Sequence, residues 1–290
     1  MRIAIIIPVH NVTDYLEEAL KSAIAQVYPE QEIIVVDDGS APIHAAEISA
    51  ICKRYPSVRL MRRSHRGAAA ARDLGWSHSK ADFIVFLDAD DVLLPGTLYY
   101  FEEAFRCRPH ADAVYARVVN INEAGKRISG TLPAPSWIGS GPQVLELLLE
   151  RKIPFCNGSI CMRKSALQAL SVHNYHLTVG EDWVLWCHLA LKGNIISAGD
   201  RVVLHRRKHR NNVSSASLND PDLIMAAYRS IFTHPAFAVA VGEEKLHMLQ
   251  EKCISRIYAY LAGAYAANSQ PEQAKLYLEK INIPLSELVD

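Results

Sequence analysis

Three carboxylates stand within four positions at Asp88-Ala89-Asp90-Asp91, directly after the apolar run Phe83–Leu87. Carboxylates this close repel one another strongly unless a cation lies among them. Hard oxygen ligands select Mg2+ or Mn2+, ions that such sites share with substrate phosphates. The competing reading is a solvated acidic turn that caps a helix opening at Pro95. A second acidic pair sits in Asp37-Asp38-Gly39-Ser40, after the apolar run Ile33–Val36. Its carboxylates suit the N–H of a base or the hydroxyls of a ribose, or simply a β-turn. A third feature is Arg66-Gly67, four alanines, then Arg72-Asp73. The glycine allows close backbone approach and the alanines allow a helix to pack tightly, which would aim Arg72 at a cleft as a fixed positive charge. The bland alternative is a surface arginine.

Two further clusters lie later in the chain. Glu181-Asp182 precede Trp183 and Trp186 at the start of a helical stretch. Acidic residues there also complement the helix dipole, and the tryptophans read as core rather than as sugar platforms. Arg206-Arg207-Lys208-His209-Arg210 is an unbroken basic run. It reads either as a solvated strand-to-loop surface or as a segment that closes over a diphosphate.

Elements must hold these groups in place. Ile3–Ile7 is apolar throughout, as a strand buried on both faces requires. Pro8 ends the run and polar His10-Asn11 follow, so it reads as a first strand and not as a leader peptide. Asp14 and Glu17 suggest a capping-box start for a helix carrying Leu16, Leu20 and Ile24. Strands at Ile33–Val36, Val58–Met61, Phe83–Leu87 and Ala113–Val119 alternate with helices at His44–Tyr55, Gly67–Trp76 and Pro95–Phe105. This rhythm predicts an α/β fold with a mostly parallel, doubly wound, Rossmann-like sheet. Ligands of such sheets bind beyond the carboxyl ends of the strands. Pro8–Asn11, Asp37–Ser40 and Asp88–Asp91 all lie there and should converge. Farther on, Thr131–Pro142 reads as a loop, Gln143–Lys152 and Trp183–Lys192 as helices, and Arg201–His205 as a strand. From Pro221 the chain is helical, with a hairpin over Arg256–Ile281. The expected organisation is a nucleotide-binding half over 1–118, an acceptor-binding half of the same domain over 119–217, and a helical extension over 218–290.

Composition narrows the function. The 290 residues are 50 % apolar and 21 % charged, ordinary for a globular chain. Lys+Arg and Asp+Glu both number 31, so the net charge is zero and bulk nucleic-acid binding is not expected. No apolar run reaches the roughly 18 residues of a membrane helix. Six cysteines include no CxxC pair, which points to reduced, buried thiols and a cytoplasmic chain.

The ordered motifs resemble an inverting family 2 glycosyltransferase of the GT-A fold. The matching text is Ile5–Asn11, Glu32–Ser40, Gly67–Gly75 and Phe83–Asp91 with Pro95-Gly96, then more faintly Gly180–Trp186, Arg207–His209 and Asn212–Ser214. The resemblance gives no cover beyond about residue 217. It implies that Pro8, Val9 and Asn11 line a nucleotide pocket and that Asp38 accepts from the base, most often uracil. It also implies that Arg72, Asp88 and Ala89 contact the nucleotide sugar. Asp90 would bind Mn2+ or Mg2+ bridging the diphosphate, and His209 would assist the metal. Asp182 would act as catalytic base. His10 departs from the tyrosine common at its position, and Asp73 from the usual asparagine. The activity implied is sugar transfer, with inversion, from a UDP-sugar or related donor to a hydroxyl of a glycan or lipid-linked saccharide. Peripheral contact with the inner face of a membrane, and dimerisation through the C-terminal helices, stay open. A dehydrogenase would need G-x-G-x-x-G after the first strand, and a nucleotidyltransferase a Gly- and Lys-bearing loop; Pro8–Thr13 has neither. The alternative from another class is a non-catalytic sugar-nucleotide-binding or scaffold protein.

Overall fold

The computed structural model describes residues 1–132, 138–140, 142–150, 155–170, 176–209, 212 and 220–284. Arg210, Val213 and Ser214 of the basic run and the motif after it lie outside the described residues. Four parallel strands form one side of the sheet: β1 (Ile3–Val9), β2 (Gln31–Asp38), β3 (Val58–Arg63) and β4 (Phe83–Phe86). The sheet order is β3-β2-β1-β4-β9-β6-β10-β5, with β6 (Ala113–Ile121), β9 (Ile160–Arg163), β10 (Asn194–Arg207) and β5 (Val92–Leu93) completing the path. β6 and β10 run parallel to each other, whereas β9 lies antiparallel between β4 and β6. Two short strands, β7 (Arg127–Leu132) and β8 (Ile138–Ser140), pair antiparallel with β6 and β10.

The apolar runs explain the layering. Side chains alternate across a strand, so Ile3, Ile5 and Ile7 of β1 pack in one core, against helices α1 (Leu16–Ile24), α2 (Pro42–Lys53) and α4 (Thr97–Cys107). Ala4 and Ile6 enter the core of the opposite face, with α3 (Ala68–Ser77), α5 (Pro142–Leu149) and α7 (Glu181–Lys192); a short α6 (Lys164–Leu170) follows β9. Each fully buried isoleucine contributes about 2 kcal/mol of apolar burial, and both faces are supplied by one uninterrupted run. The Ala-rich helix α3 does pack closely. Gly75 is the closest point: a Cβ there would stand 2.3 Å from Ile6 Cγ2.

The C-terminal helices α8 (Pro221–Phe232), α9 (Pro235–Val241), α10 (Glu243–Ala267) and α11 (Pro271–Leu278) follow. Tyr228, Ile231, Phe237, Leu246 and Ile257 belong to the same buried cluster as Ile6 and Phe86. The extension therefore shares a core with the sheet. Among the described residues no single helix is long and apolar enough to cross a membrane; the bent pair α8–α9 is apolar enough only when its halves are taken together. α10 and α11 form the expected hairpin.

Several sequence expectations need correction. The capping box at Asp14 does not form: α1 is preceded by Tyr15 and has no side-chain cap. Glu17 instead pairs with Lys21 at 3.2 Å and Arg54 at 3.1 Å and accepts from the Tyr55 hydroxyl at 2.7 Å. The Thr131–Pro142 loop is partly strand, since β7 runs to Leu132 and β8 occupies Ile138–Ser140. The β10 strand is longer than Arg201–His205, because it crosses an irregularity between Ser197 and Val202 that breaks its apolar alternation. All six cysteines are free, but Cys107 is exposed rather than buried.

One buried group gives the fold a pH dependence. His188 of α7 lies edge-on to His234 at 5.1 Å and to Phe237 at 4.9 Å. Burial, with lesser contributions from His234 and Lys192, pushes its pKa down from 6.5 to about 4. Between these values the unfolded chain takes up a proton that the native one refuses, so stability falls as pH drops from 6.5 toward 4. His188→Phe, which keeps the ring contacts, should flatten denaturant midpoints across that window by an amount on the order of 2 kcal/mol. An unchanged pH slope would show that His188 does not govern it.

Candidate functional site

The acidic loop leaves β4 at the carboxyl ends of the central strands. Asp91 is buried and accepts from the Arg207 backbone N–H at 2.8 Å. Burial, then Asp90 and Asp88, hold its carboxyl well above the usual range. Burial and the neighbouring Asp88 likewise raise Asp90, opposed by His209. Each of the other two carboxylates has its own partners. Asp88 accepts from Arg72 at 3.0 Å and from the Asn157 amide at 3.0 and 3.1 Å. Asp90 accepts from His209 Nε2 at 2.8 Å and from the Asn212 amide at 3.0 Å. The solvated-turn reading does not hold: α4 starts behind Gly96 with no side-chain cap, and the cluster faces inward.

The basic run is also not a solvated surface. Arg207 is the last residue of β10 and its side chain is 1 % exposed. Its Nε donates to the Asp90 carbonyl at 3.0 Å, Nη1 to the carbonyls of Asn122 and Glu123, and Nη2 to Glu18 at 2.6 Å. The guanidinium also lies 4.4 Å from the Tyr15 ring centre. Only a planar five-donor fork fits such a set. Arg206 and Lys208 flank it and line the cleft. Burial and the adjacent Arg206 lower the Lys208 pKa. For Arg206 burial works against the charge, but Cys156, Asp91, Asp182 and Asp88 outweigh it and raise the pKa.

The two aspartates ending β2 divide their work. Asp37 serves the turn, accepting from the Ser40 N–H at 2.9 Å and pairing with Arg62 at 3.2 Å. Asp38 faces the cleft. Its carboxylate accepts from the backbone N–H groups of Arg66 (3.1 Å) and Gly67 (2.7 Å). Arg63 Nε and His65 Nδ1 stand 3.3 and 2.8 Å from its oxygens, while donating to the carbonyls of Ser64 and Asp38 at 3.2 and 3.1 Å. Gly39 permits this closure, since a Cβ there would stand 2.5 Å from the His65 nitrogen and the backbone has φ +73°. His10 stacks on His65 at 4.0 Å and donates from Nδ1 to the Asp38 carbonyl at 3.0 Å. The donor atoms of His10, Asp38 and His65 thus lie within 4.8 Å of one another. Hydrogen bonds account for each: His10 Nε2 accepts from Asn11, which leaves the proton on Nδ1.

Arg72 is the hinge between the two halves of the site. It is buried, with Nη2 on Asp88 at 3.0 Å and Nη1 on Glu181 at 2.8 Å, while its buried Nε has no partner. Burial opposes its charge, but Asp88, Glu181 and Asp182 prevail and raise its pKa. Glu181 and Asp182 begin α7. Burial raises the Glu181 pKa against the pull of Arg72. Asp182 is half-buried, forms no ion pair among the described residues, and accepts from the Trp183 N–H at 2.7 Å. Trp183 donates to the Leu148 carbonyl at 3.1 Å and Trp186 is buried, so both are core.

Pro8, Val9, Asp38, Arg72, Asp88, Ala89, Asp90, Asp182 and His209 all line one cleft of about 1020 Å3. Asn11 does not. It sits at φ +53°, a conformation asparagine tolerates, donates its N–H to Ser40 at 2.9 Å and accepts from the Ala41 N–H at 2.8 Å. It joins the ends of β1 and β2 beside the cleft. Sequence reasoning missed His65 and Asn157. Asn157-Gly158 reads only as a turn, and nothing local ties it to Asp88, 69 positions away.

Comparison with known proteins agrees with the geometry. Residues 4–171 match the model of glycosyl transferase family 2. An uncharacterized glycosyltransferase of Rickettsia felis is 29 % identical over 77 % of this chain, which spans 38 % of that relative's length. The glycosyltransferase YibD of Escherichia coli is 33 % identical over 48 % of the chain and 44 % of its own length. The O-antigen biosynthesis protein RfbC of Myxococcus xanthus is 32 % identical over 47 % of the chain and 11 % of its own. Among solved structures, Staphylococcus aureus TarS 1–349 in complex with UDP-GlcNAc superposes with TM-score 0.64 at 14 % identity, over 96 % of this chain and 91 % of that one. The mannosyltransferase PcManGT of Pyrobaculum calidifontis, with GDP-Man and Mn2+, gives 0.60 at 17 %, over 100 % and 87 %. At these identities the superpositions establish the GT-A type fold.

The Arg207 clamp is open to test. Arg207→Met keeps the apolar stem but leaves three backbone carbonyls without their donor, which should destabilise the protein by about 2–4 kcal/mol. A denaturant midpoint shifted by less than about 0.5 kcal/mol, the usual surface effect, would return Arg207 to the solvated surface.

Proposed function

The chain belongs to glycosyl transferase family 2, and from that premise we propose that it transfers a sugar from a nucleoside-diphosphate sugar, a UDP-sugar by preference, to a hydroxyl of a glycan or lipid-linked saccharide, with inversion. The observation that carries this reading is the single cleft shared by Asp38, the Asp88–Asp91 loop and Asp182. The relative named for O-antigen biosynthesis supports a cell-surface glycan as the product. A cytoplasmic chain working at the inner face of a membrane is part of the same proposal.

The residues present fit a divalent cation. Asp90 has a carboxyl raised by burial and by Asp88, and an imidazole nitrogen 2.8 Å from its Oδ2. Oxygen and nitrogen donors of this kind suit Mn2+ or Mg2+, and the Mn2+ in the PcManGT complex supports the choice. Bound by Asp90 and His209, such an ion would supply Lewis-acid stabilisation of the departing diphosphate.

The chain's own groups do the rest. Asp38 takes an N–H of the base, and Pro8, Val9 and Ala89 form walls of the nucleotide pocket. Asp88 is held by Arg72 and Asn157 on the ribose side. Arg72 is already committed to two carboxylates, so it orients the site, and Arg206 and Lys208 supply cations for the diphosphate. Asp182, without an ion pair among the described residues, accepts the proton of the acceptor hydroxyl while the oxygen forms its bond to the anomeric carbon. The bond from that carbon to the diphosphate oxygen breaks, and its electron pair leaves with the nucleoside diphosphate. One displacement from the opposite face inverts the centre.

Thermal shift against UDP-, GDP- and dTDP-sugars, with and without Mn2+, should give the largest stabilisation with a UDP-sugar plus Mn2+. Asp90→Ala should stay folded and lose the Mn2+-dependent part; full retention of it would remove Asp90 from the metal. Asp182→Asn should bind donor as the wild type does and lose transfer by about 10²–10⁴-fold. Transfer at the wild-type rate would show that Asp182 is not the base, and donor binding without any transfer by the wild type would favour the non-catalytic binder.

A further inference from the structure

The Asp38 carboxyl is closed off from the cleft. It accepts from the N–H groups of Arg66, which reaches both oxygens, and Gly67, and Arg63 Nε and His65 Nδ1 stand 3.3 and 2.8 Å from its oxygens, so that the side chain is 3 % exposed. A base N–H reaches it only when one of these neighbours moves.

The donors differ in their freedom to do so. The N–H groups of Arg66 and Gly67 belong to the entry of α3, where Gly67 precedes the first turn, and losing them would unravel the helix start. Arg63 has a side chain 17 % exposed that also donates to the Ala70 carbonyl. His65 has a side chain 57 % exposed and its Nδ1 contacts only Asp38, at the carboxylate and the carbonyl. Its ring is stacked on His10, in the same cleft. An aromatic ring carrying an N–H, set against a buried carboxylate, has the chemistry of a nucleobase.

We propose that His65 stands in for the base in the free protein and is displaced from Asp38 by the imino N–H of an incoming nucleotide, so that His65 sets nucleotide affinity and favours bases that carry such an N–H. This rests on the transferase reading, in which Asp38 receives the base. The consequence is a sign that a simple contact residue would not give. Removing a residue that binds the base weakens binding; removing a stand-in strengthens it.

The test is isothermal titration of the full chain and of His65→Ala with UDP and with N3-methyl-UDP, which has no imino N–H, in Mn2+; if the nucleotide panel selects guanine, GDP and N1-methyl-GDP take their places. His65→Ala should bind UDP roughly 3- to 10-fold more tightly, the scale of one ordinary hydrogen bond, and should show no such gain for the methylated nucleotide. Unchanged or weaker UDP binding by His65→Ala overturns the proposal, as does a gain shared by N3-methyl-UDP. A wild type that binds no nucleotide of the panel overturns the transferase reading itself, and the role of His65 with it.

Discussion

Three carboxylates within four residues, at the mouth of a desolvated crevice, are the constraint around which the protein is built. Left to themselves they would repel, and burial raises Asp90 and Asp91 still further. The fold answers with two buried arginines on different sides. Arg207 grips the loop from behind, through the Asp90 carbonyl and the Asp91 carboxylate. Arg72 takes Asp88 from the front. Neither is a free cation, because each guanidinium is divided among several acceptors. What remains unneutralised is the field at Asp90, which is where a dication would be attracted.

This arrangement couples parts of the chain that are far apart in sequence. Arg72 joins Asp88 to Glu181, 109 positions from itself, and Glu181 sets the first turn of α7 beside Asp182. Arg207 joins the end of β10 to Glu18 of α1, 189 positions away. The position of the proposed base thus depends on the same arginine that orients the acidic loop. Low local dielectric strengthens such a network and makes any single gap in it costly. Glu181 is paired with Arg72, whereas Asp182 has no ion pair among the described residues; one carboxylate holds the frame, and the proposed base is the other.

How much of this was legible in the residues depends on how local the cause is. β1, β2 and β4 were readable because a strand buried on both faces needs an apolar run, and Ile3–Ile7, Ile33–Val36 and Phe83–Leu87 supply one. The convergence of Pro8, Asp38 and Asp88 follows from parallel topology alone. β9 was not readable: four residues, Ile160–Arg163, become a strand only because β4 and β6 leave a slot between them. The Arg207 clamp was not readable for a related reason: the basic run fitted a solvated surface or a diphosphate-closing segment, and only tertiary structure brings Glu18, Asp90 and two carbonyls to meet it. Asn11, placed in the pocket by the family resemblance, has a left-handed backbone that fits it to hold two loops together.

The limits of the family match divide the cleft in an instructive way. Residues 4–171 contain Asp38, Arg72, the Asp88–Asp91 loop and Asn157, the end of the cleft suited to a nucleotide. Asp182 and the Arg206–His209 segment lie beyond that limit, as do Ile224 and Ala227 of α8 and Tyr260 of α10, which line the same cleft. Tyr260 is 56 % exposed, so its ring is presented to the cleft mouth rather than packed away. On the proposed reading, strand ends would carry the donor and appended helices would face the acceptor, an arrangement that lets one side change without moving the other. Because α8 and α10 share a core with Ile6 and Phe86, the helical side is nonetheless fixed to the strands.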